Sequence, residues 1–311
     1  MKNWTRAIME PEDYVLSDVH VCADIKKLPT VSAANHQYEL AETRFEIKLP
    51  TTDDEQSCAS SDTDEDGDLV VERQYLTEVI ILKHAMSTKL EHVGLQVWSG
   101  ALLMCDYVIH KHELFRDATA VVELGSGTGL VSLLVARYAQ RVFCTDTGEE
   151  VLRLCKENIE NNASFMSHDD AVKVRSLDWT ENDLPGDSKE YGWTSSERME
   201  LEQLQILLAA EVIYDVDLTE AFFKTIHRIM SRGSDKELYI TLEKRLNFTL
   251  SDLEVSCPAY HHYLDCLQHL CSLGQDGNVT FTTEQIPCDF PQYMTYDRHT
   301  NLELWRIASK R

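Results

Sequence analysis

The sequence lacks the features that would place it in a membrane or outside the cell. No segment approaches the ~18 consecutive apolar residues of a membrane-spanning helix, and residues 1 to 10 lack the apolar core of a signal peptide. The nine cysteines include no C-x-x-C pair, which favours reduced, buried thiols over a disulfide or metal site. These absences predict a soluble intracellular protein.

Basic residues are also scarce. The 311 residues include 29 Lys and Arg against 53 Asp and Glu, for a formal net charge of −24. Residues 1 to 72 carry −11 of that charge, and the remainder carries −13. Both parts would be repelled by nucleic acid phosphates. We therefore expect a basic protein as the partner and no direct contact with nucleic acid or a membrane, although an acidic surface also simply keeps a protein soluble.

The most informative feature that is present is a glycine-rich turn. Residues 121 to 130 read Val-Val-Glu-Leu-Gly-Ser-Gly-Thr-Gly-Leu, a short apolar strand followed by alternating glycines. Such a turn leaves backbone N–H groups open to the polar end of a ligand. A second apolar strand ends at Asp146, about twenty residues past the glycines, where the acid of a βαβ unit binds ribose hydroxyls. The two strands together predict a nucleotide or nucleoside site.

The glycine spacing separates two classes of ligand. A dinucleotide fingerprint, G-x-G-x-x-G, requires its third glycine where this sequence has Leu130. Glu123 lies two residues before the first glycine, where an acid would repel a pyrophosphate but suits a ligand that carries an ammonium and a sulfonium. The pattern favours S-adenosylmethionine over NAD.

Strands and helices alternate along the rest of the chain. Apolar runs predict strands at 120–124, 142–145, 172–177, 206–210 and 238–242, with helices at 129–138, from Thr147 to Asn158 and at 221–230. Thr147 and Glu150 form a predicted capping box for the second of these helices. The alternation predicts an α/β fold with a mostly parallel sheet and helices on both faces.

Polar residues collect where the predicted strands end, which is where ligands of such sheets bind. Asp178 can accept the adenine amino group while Trp179 packs on the ring, although a capped strand end beside a core tryptophan would give the same sequence. Glu211 and Tyr214 can bind and orient an amine, although a strand-end carboxylate that caps the next helix would look similar.

The first 72 residues differ from the rest. Strand-like alternation around Tyr14 and Arg44 predicts that residues 1 to 50 form an extension whose hairpin or edge strands pack on the main domain. Residues 51 to 72 begin with an acidic, Ser/Thr-rich stretch almost free of large apolar side chains, which predicts a disordered linker. The main domain is predicted over residues 73 to 311.

In combination, these motifs resemble the family-16 seven-β-strand methyltransferases, which are protein-lysine methyltransferases. The resemblance spans about 79 to 307, and one branch of the family is indicated by Glu211 and by Glu243-Lys-Arg-Leu-Asn-Phe. The segments that carry it are Val97-Trp98-Ser-Gly-Ala-Leu, Val122-Glu-Leu-Gly-Ser-Gly-Thr-Gly-Leu, Cys144-Thr-Asp146, Leu177-Asp-Trp179 and Ala209-Ala-Glu-Val-Ile-Tyr214. The resemblance implies a class I S-adenosylmethionine-dependent methyltransferase with a Rossmann-like, seven-stranded, mostly parallel sheet.

The resemblance also implies site residues and partners. Catalytic roles fall to Glu211 and Tyr214, and most relatives have Asp where this chain has Glu211, so a different substrate is expected. The implied substrate is a basic nuclear protein, with the KIN nucleic-acid-binding protein as the expected partner, chaperones as a further class, and the cytoplasm as a second location. We expect a monomer. The expected S-adenosylmethionine-binding residues are Trp98, Glu123, Gly125, Ser126, Gly127, Asp146, Asp178, Trp179 and Ala210.

Other functions stay open at this point. A non-catalytic scaffold, or a methyltransferase that acts on RNA or a small molecule, could share every cofactor motif. The sequence lacks the Asn/Asp-Pro-Pro-aromatic tetrad of many nucleic acid methyltransferases. The run from His261 to Cys271 contains metal-ligand residue types, but Tyr260, Leu264 and Leu267 form a helical apolar stripe with Cys271, so we expect a core helix and no metal.

Overall fold

The computed structural model describes residues 14–17, 19, 25–27, 31–33, 36–50, 75–245, 247–249, 254–273 and 279–311. The predicted linker, residues 51 to 72, lies outside these ranges. Before residue 90 the regular elements of the described chain are nearly all β-strands. Its strands are β1 (Tyr14–Leu16), β2 (Ile25–Lys27), β3 (Val31–Ala33), β4 (His36–Tyr38), β5 (Leu40–Pro50), β6 (Tyr75–Ala85) and β7 (Ser87–Lys89).

Helices and strands alternate from residue 90 onward. Short 3₁₀ helices lie at Leu90–Leu95 and Ala163–Phe165. The α-helices are α1 (Ser99–His110), α2 (His112–Arg116), α3 (Leu130–Val135), α4 (Glu149–Asn161), α5 (Ser195–Gln203), α6 (Val216–Met230) and α7 (Pro258–Leu273). The strands are β8 (Val121–Leu124), β9 (Val142–Asp146), β10 (Val172–Ser176), β11 (Ile206–Ala210), β12 (Lys236–Glu243), β13 (Asn247–Thr249), β14 (Glu254–Ser256), β15 (Thr280–Ile286) and β16 (Leu302–Lys310).

The central sheet has seven strands in the order β10-β9-β8-β11-β12-β16-β15. The first five are parallel, and β16 is antiparallel to both of its neighbours. Every residue of β8 is buried, as expected for a central strand that is covered on both faces. One apolar cluster packs α1, α3 and α4 on the sheet, and a second packs α5, α6 and α7. The predicted α/β fold is confirmed.

The helix after β9 begins differently from the prediction. Gly148 is its N-cap residue, and no side chain caps the helix. The predicted box of Thr147 and Glu150 is therefore wrong. A capping box does form at α5, where Thr194 accepts a hydrogen bond from the N–H of Glu197 and the Glu197 side chain accepts one from the N–H of Thr194.

Strands β5 and β6 form a long antiparallel pair that packs on the main sheet's helices. Their register runs from Leu40 opposite Ala85 to Pro50 opposite Tyr75. Two asparagines bind the outer edge of β6: Asn158 of α4 exchanges hydrogen bonds with the backbone of Lys83 (2.8 and 2.9 Å), and Asn162, which follows α4, does so with Ile81 (3.0 and 2.8 Å). The side-chain amides thus satisfy backbone groups that a neighbouring strand would otherwise bind.

A buried ion pair fastens the segment before β16 to α1. The Asp106 side chain is fully buried and pairs with Arg298. Its Oδ1 accepts hydrogen bonds from the N–H groups of Tyr293 (2.7 Å) and Met294 (3.0 Å), and its Oδ2 accepts one from the Tyr296 hydroxyl (2.8 Å). One carboxylate therefore binds four groups of a segment that has little regular structure of its own.

Helix α7 includes the run from His261 to Cys271, which contains residue types that can bind metal. Its buried residues are Tyr263, Leu267 and Leu270. The other residues of the predicted stripe, Tyr260, Leu264 and Cys271, are partly buried against the same apolar cluster, so the predicted core helix is confirmed. Among the described residues, no group of three or more His, Cys, Asp or Glu side chains could hold a metal ion. Across the same ranges, every helix is too short or too polar to cross a membrane.

Candidate functional site

One cleft at the carboxyl edge of the parallel strands contains every site residue predicted from the sequence. Glu123 lies on β8, Asp146 ends β9, and Ala210 ends β11. The cleft brings together all eleven predicted residues: Trp98, Glu123, Gly125, Ser126, Gly127, Asp146, Asp178, Trp179, Ala210, Glu211 and Tyr214.

The glycine turn after β8 requires glycine for two separate reasons. Gly125 and Gly127 have φ angles of +72° and +51°, which disfavour residues with a side chain. A Cβ at Gly127 would also lie 2.8 Å from the carbonyl oxygen of Gly94, and one at Gly125 would lie 2.7 Å from Val212 Cγ1. Residues that also line the cleft therefore pack against the turn so closely that only glycine fits at these two positions.

Asp146 is oriented by the turn that it faces. Its Oδ2 accepts a hydrogen bond from the N–H of Gly127 (2.7 Å), and its Oδ1 accepts one from the N–H of Thr147 (2.7 Å). Burial raises the pKa of Asp146 to about 6, so the carboxylate is ionised at neutral pH. Each oxygen keeps a lone pair for a further donor, as binding to ribose hydroxyls requires.

Glu123 is more deeply buried than Asp146. It is 2% exposed and accepts a hydrogen bond from the Ser132 hydroxyl. Burial and, to a smaller extent, the nearby Asp146 carboxylate raise the pKa of Glu123 to about 8. Glu123 is therefore neutral at pH 7 unless a cation lies beside it, which refines the charge argument made from the sequence.

Trp179 and Asp178, which follow β10, form a part of the cleft that suits a flat ring. Trp179 packs edge-on against Phe222 with 5.1 Å between ring centres, and it also lines the cleft, so it serves the core and the site together. Asp178 accepts hydrogen bonds from the N–H (2.9 Å) and hydroxyl (2.6 Å) of Thr180. Within the described ranges, Trp179 Nε1 and Ser126 Oγ are buried without a hydrogen-bond partner. Both are polar atoms of residues that line the cleft, where a ligand could satisfy them.

Glu211 does not cap the helix that follows it. Asp215 does so, accepting a hydrogen bond from the N–H of Leu218 (2.9 Å). Glu211 instead has a left-handed backbone, with a φ of +57°, and its N–H donates to the carbonyl of Thr241 (2.9 Å). Left-handed backbone is rare for residues other than glycine, and it re-aims this side chain away from α6.

The Glu211 carboxylate lies at the first turn of α1. Its Oε1 accepts a hydrogen bond from the N–H of Gly100 (3.1 Å), and its Oε2 lies 3.6 Å from Arg245 Nη2. The side chain is 4% exposed. Burial raises the pKa of Glu211 to about 7, against the opposing effect of Arg245. Tyr214 lines the same part of the cleft, and burial raises the pKa of its hydroxyl to about 12, so it remains a hydrogen-bond donor.

The roof of the cleft is the segment before α1, which contains the predicted Trp98. Sequence reasoning missed another residue of this segment, Gln96, which is 2% exposed and lines the cleft. Gln96 Oε1 accepts from the N–H of Ser17 (2.9 Å), and its Nε2 donates to the carbonyl of Val15 (2.9 Å) and the hydroxyl of Thr88 (2.7 Å). Strand β1 therefore holds the roof in place, and no local pattern at Gln96 signals these partners.

Gln96→Ala should loosen this roof. The substitution removes three hydrogen bonds and leaves the N–H of Ser17 without its acceptor. We expect amide hydrogen exchange in residues 93 to 98 to accelerate about tenfold or more, since each lost bond contributes about 1 kcal/mol. Gln285→Ala, at an exposed site of β15, is the control and should leave this exchange unchanged. Equal protection in both variants would contradict a roof held by β1.

Comparison with known proteins agrees with the site. The lysine methyltransferase family matches residues 78–255. Methyltransferase-like protein 22 of Homo sapiens is 44% identical over 237 residues, which are 75% of this chain and 58% of that protein. The Mus musculus protein of the same name is 42% identical over 251 residues, or 78% of this chain and 63% of that protein. Protein-lysine N-methyltransferase EFM3 of Chaetomium thermophilum is 26% identical over 166 residues, or 53% and 46%.

The chain spans about three fifths of the length of the methyltransferase-like protein 22 sequences. The resemblance drawn from the motifs is confirmed, and the branch that they indicated is that of methyltransferase-like protein 22. The matched region contains the glycine turn, Asp146, Trp179 and the Glu211 segment. The chain belongs to the lysine methyltransferase family.

Proposed function

We propose that this chain is an S-adenosylmethionine-dependent protein-lysine N-methyltransferase. The observation that carries the proposal is the arrangement of the cleft. A nucleoside-binding end, built from the glycine turn, Asp146 and Trp179, is continuous with a buried acid and a phenol, Glu211 and Tyr214. The first end suits the cofactor and the second suits an amine.

The residues of the cleft fit this cofactor. Asp146 offers acceptors for ribose hydroxyls, and the partnerless atoms Ser126 Oγ and Trp179 Nε1, both within the described ranges, offer donors. Glu123 provides a carboxylate for the cationic end. When bound, S-adenosylmethionine supplies a methyl group activated by a sulfonium. Glycine at positions 125 and 127 leaves room for the ligand directly against the backbone.

The chain's own residues prepare the acceptor. A free lysine has a pKa near ~10.4 and must lose its proton before its nitrogen can attack carbon. Glu211 is ionised above pH 7 and can accept a hydrogen bond or a proton from the amine, while Tyr214 helps to orient it. The site also holds the amine nitrogen in line with the methyl carbon and the sulfur, and this positioning supplies a large part of the rate enhancement.

The charge of the cleft favours a basic substrate. Its lining has five acids, Glu91, Glu123, Asp146, Asp178 and Glu211, and among the described residues that line it there is no Lys, Arg or His. A lysine side chain on a basic protein would be attracted to such a surface. From the family resemblance, we propose the KIN nucleic-acid-binding protein as the first candidate substrate and the nucleus as the setting. RNA, with its phosphates, would be repelled.

Transfer of labelled methyl groups tests the proposal. The protein and a Gly127→Arg control would be incubated with isotopically labelled S-adenosylmethionine and nuclear extract, and the label located by mass spectrometry. We expect label on lysine of a basic protein, lost in the control because the new side chain clashes at the turn. Label on RNA or a metabolite would overturn the acceptor class, and cofactor binding without any labelling would favour a scaffold.

Binding of S-adenosylmethionine should tighten with rising pH until about pH 8. The free protein holds a proton on Glu123 below that pH, and a bound cation favours the ionised form, so binding releases the proton. We expect the affinity to rise about tenfold between pH 6 and 8. In Glu123→Gln, the affinity measured by calorimetry should depend less on pH. The titration of the ligand's own groups affects both proteins equally, so it cancels when the two are compared. The same slope in both proteins would rule out this role for Glu123.

A further inference from the structure

Arg245 places a cation at the rim of the cleft. It is the second residue after β12, and its Nη2 lies 3.6 Å from Glu211 Oε2. Its guanidinium carbon lies 4.6 Å from the centre of the Trp98 ring. The side chain is 40% exposed, whereas that of Glu211 is 4% exposed. A half-exposed cation thus covers a buried carboxylate and the face of an indole.

These two groups are the ones that an incoming ammonium requires. A carboxylate and an aromatic face together form a strong cation site once water is excluded. Glu211 and Trp98 both line the cleft, and Arg245 is paired with both of them. A substrate lysine that approaches Glu211 therefore meets a site already occupied by a like charge.

We propose that Arg245 competes with the acceptor lysine for the cation site formed by Glu211 and Trp98, and that it must swing aside when the substrate enters. The inference rests on the proposed function. Displacement is inexpensive, because the ion pair exceeds hydrogen-bond length and a half-exposed guanidinium regains water as it leaves. The competition selects for a lysine whose protein provides further contacts, and it rejects free amines that offer only their charge.

A matched pair of variants separates this role from a general effect of charge. Arg245→Gln removes the competing cation, and Arg245→Lys keeps one. Lys244→Gln removes the adjacent charge, whose Nζ pairs with Glu303 at 2.7 Å rather than with Glu211. Thermal melts of all three variants would establish that they are folded before any ligand is added.

The first measurement needs no methyl transfer. Calorimetric titration of n-butylammonium chloride into the S-adenosylhomocysteine complex at about pH 9, where Glu211 is ionised with or without Arg245, reports on the cation site. We expect Arg245→Gln to bind n-butylammonium about fivefold more tightly than the unmodified protein, with Arg245→Lys and Lys244→Gln unchanged. Equal or weaker binding by Arg245→Gln would overturn the inference. Because this result does not depend on catalysis, the inference and the proposed function can fail separately.

The second measurement uses the basic protein labelled in nuclear extract. At about pH 9, where Glu211 is ionised even though its pKa rises without Arg245, we expect KM of Arg245→Gln for that protein to fall about fivefold while kcat and the affinity for S-adenosylmethionine stay unchanged. A fall in kcat with unchanged or raised KM would instead show that Arg245 positions Glu211, and the competition would be wrong.

Discussion

Replacing Asp146 by alanine should weaken binding of S-adenosylmethionine about 100-fold or more, because hydrogen bonds to a charged group contribute about 1.5–3 kcal/mol each. The same carboxylate also accepts from the N–H of Gly127, so the substitution removes a support of the glycine turn as well as the ribose contacts. Asp146→Asn keeps one acceptor oxygen and should lose about tenfold. Calorimetry with S-adenosylmethionine measures both variants.

Replacing Glu211, in the part of the cleft assigned to the amine, should affect methyl transfer and not cofactor binding, and Glu211→Gln is the variant that tests this. Alanine is unsuitable there, because it would leave the N–H of Gly100 at the start of α1 without its acceptor. Glutamine keeps the shape and that hydrogen bond, so we expect cofactor affinity within about twofold of the original and methyl transfer about 100-fold slower. Both proteins need a deprotonated lysine, but only in the original does Glu211 also become protonated as the pH falls through 7, so the original should lose activity more steeply than the variant there. Equal loss of cofactor affinity in Asp146→Ala and Glu211→Gln would contradict this division of roles.

Asp106→Ala should destabilise the fold by about 3–5 kcal/mol, the usual cost of breaking a buried ion pair from one side. The substitution leaves Arg298 paired with no carboxylate and removes the acceptor of the Tyr293 and Met294 N–H groups and of the Tyr296 hydroxyl. Urea unfolding monitored by circular dichroism gives the free energy of unfolding directly.

An exposed ion pair provides the control for that measurement. Asp170 pairs with Lys173 three residues away, and its side chain is 71% exposed. Asp170→Ala should change the free energy of unfolding by no more than about 0.5 kcal/mol. If Asp106→Ala cost as little as this control, the segment before β16 would be held by its apolar contacts alone.

Local patterns account for the parts of the fold that were predicted. Apolar runs bounded by polar residues marked β8, β9, β10, β11 and β12 to within two residues. Parallel strands that share one carboxyl edge bring their following residues together whatever the details of packing. For that reason, all eleven predicted site residues line one cleft.

Local patterns failed where two candidates compete for one position. Thr147 and Glu150 have the spacing of a capping box, yet the backbone N–H of Thr147 donates to Asp146 and Gly148 begins the helix. The predicted stripe of α7 packs on the core, but it omitted the two neighbouring residues, Tyr263 and Leu270, that contact with α6 and β15 buries most deeply.

The sequence by itself determined the fold class and the edge of the sheet at which the candidate cleft lies, and it predicted the chemical class of the ligand, because each depends on spacing between residues close in the chain. Only the tertiary structure decided which charges the site carries. Burial leaves Glu123 neutral at pH 7. Glu211 meets Gly100 across 111 positions, and Gln96 meets Ser17 across 79. Protonation and orientation at this site arise from contacts between distant segments, which no local pattern records.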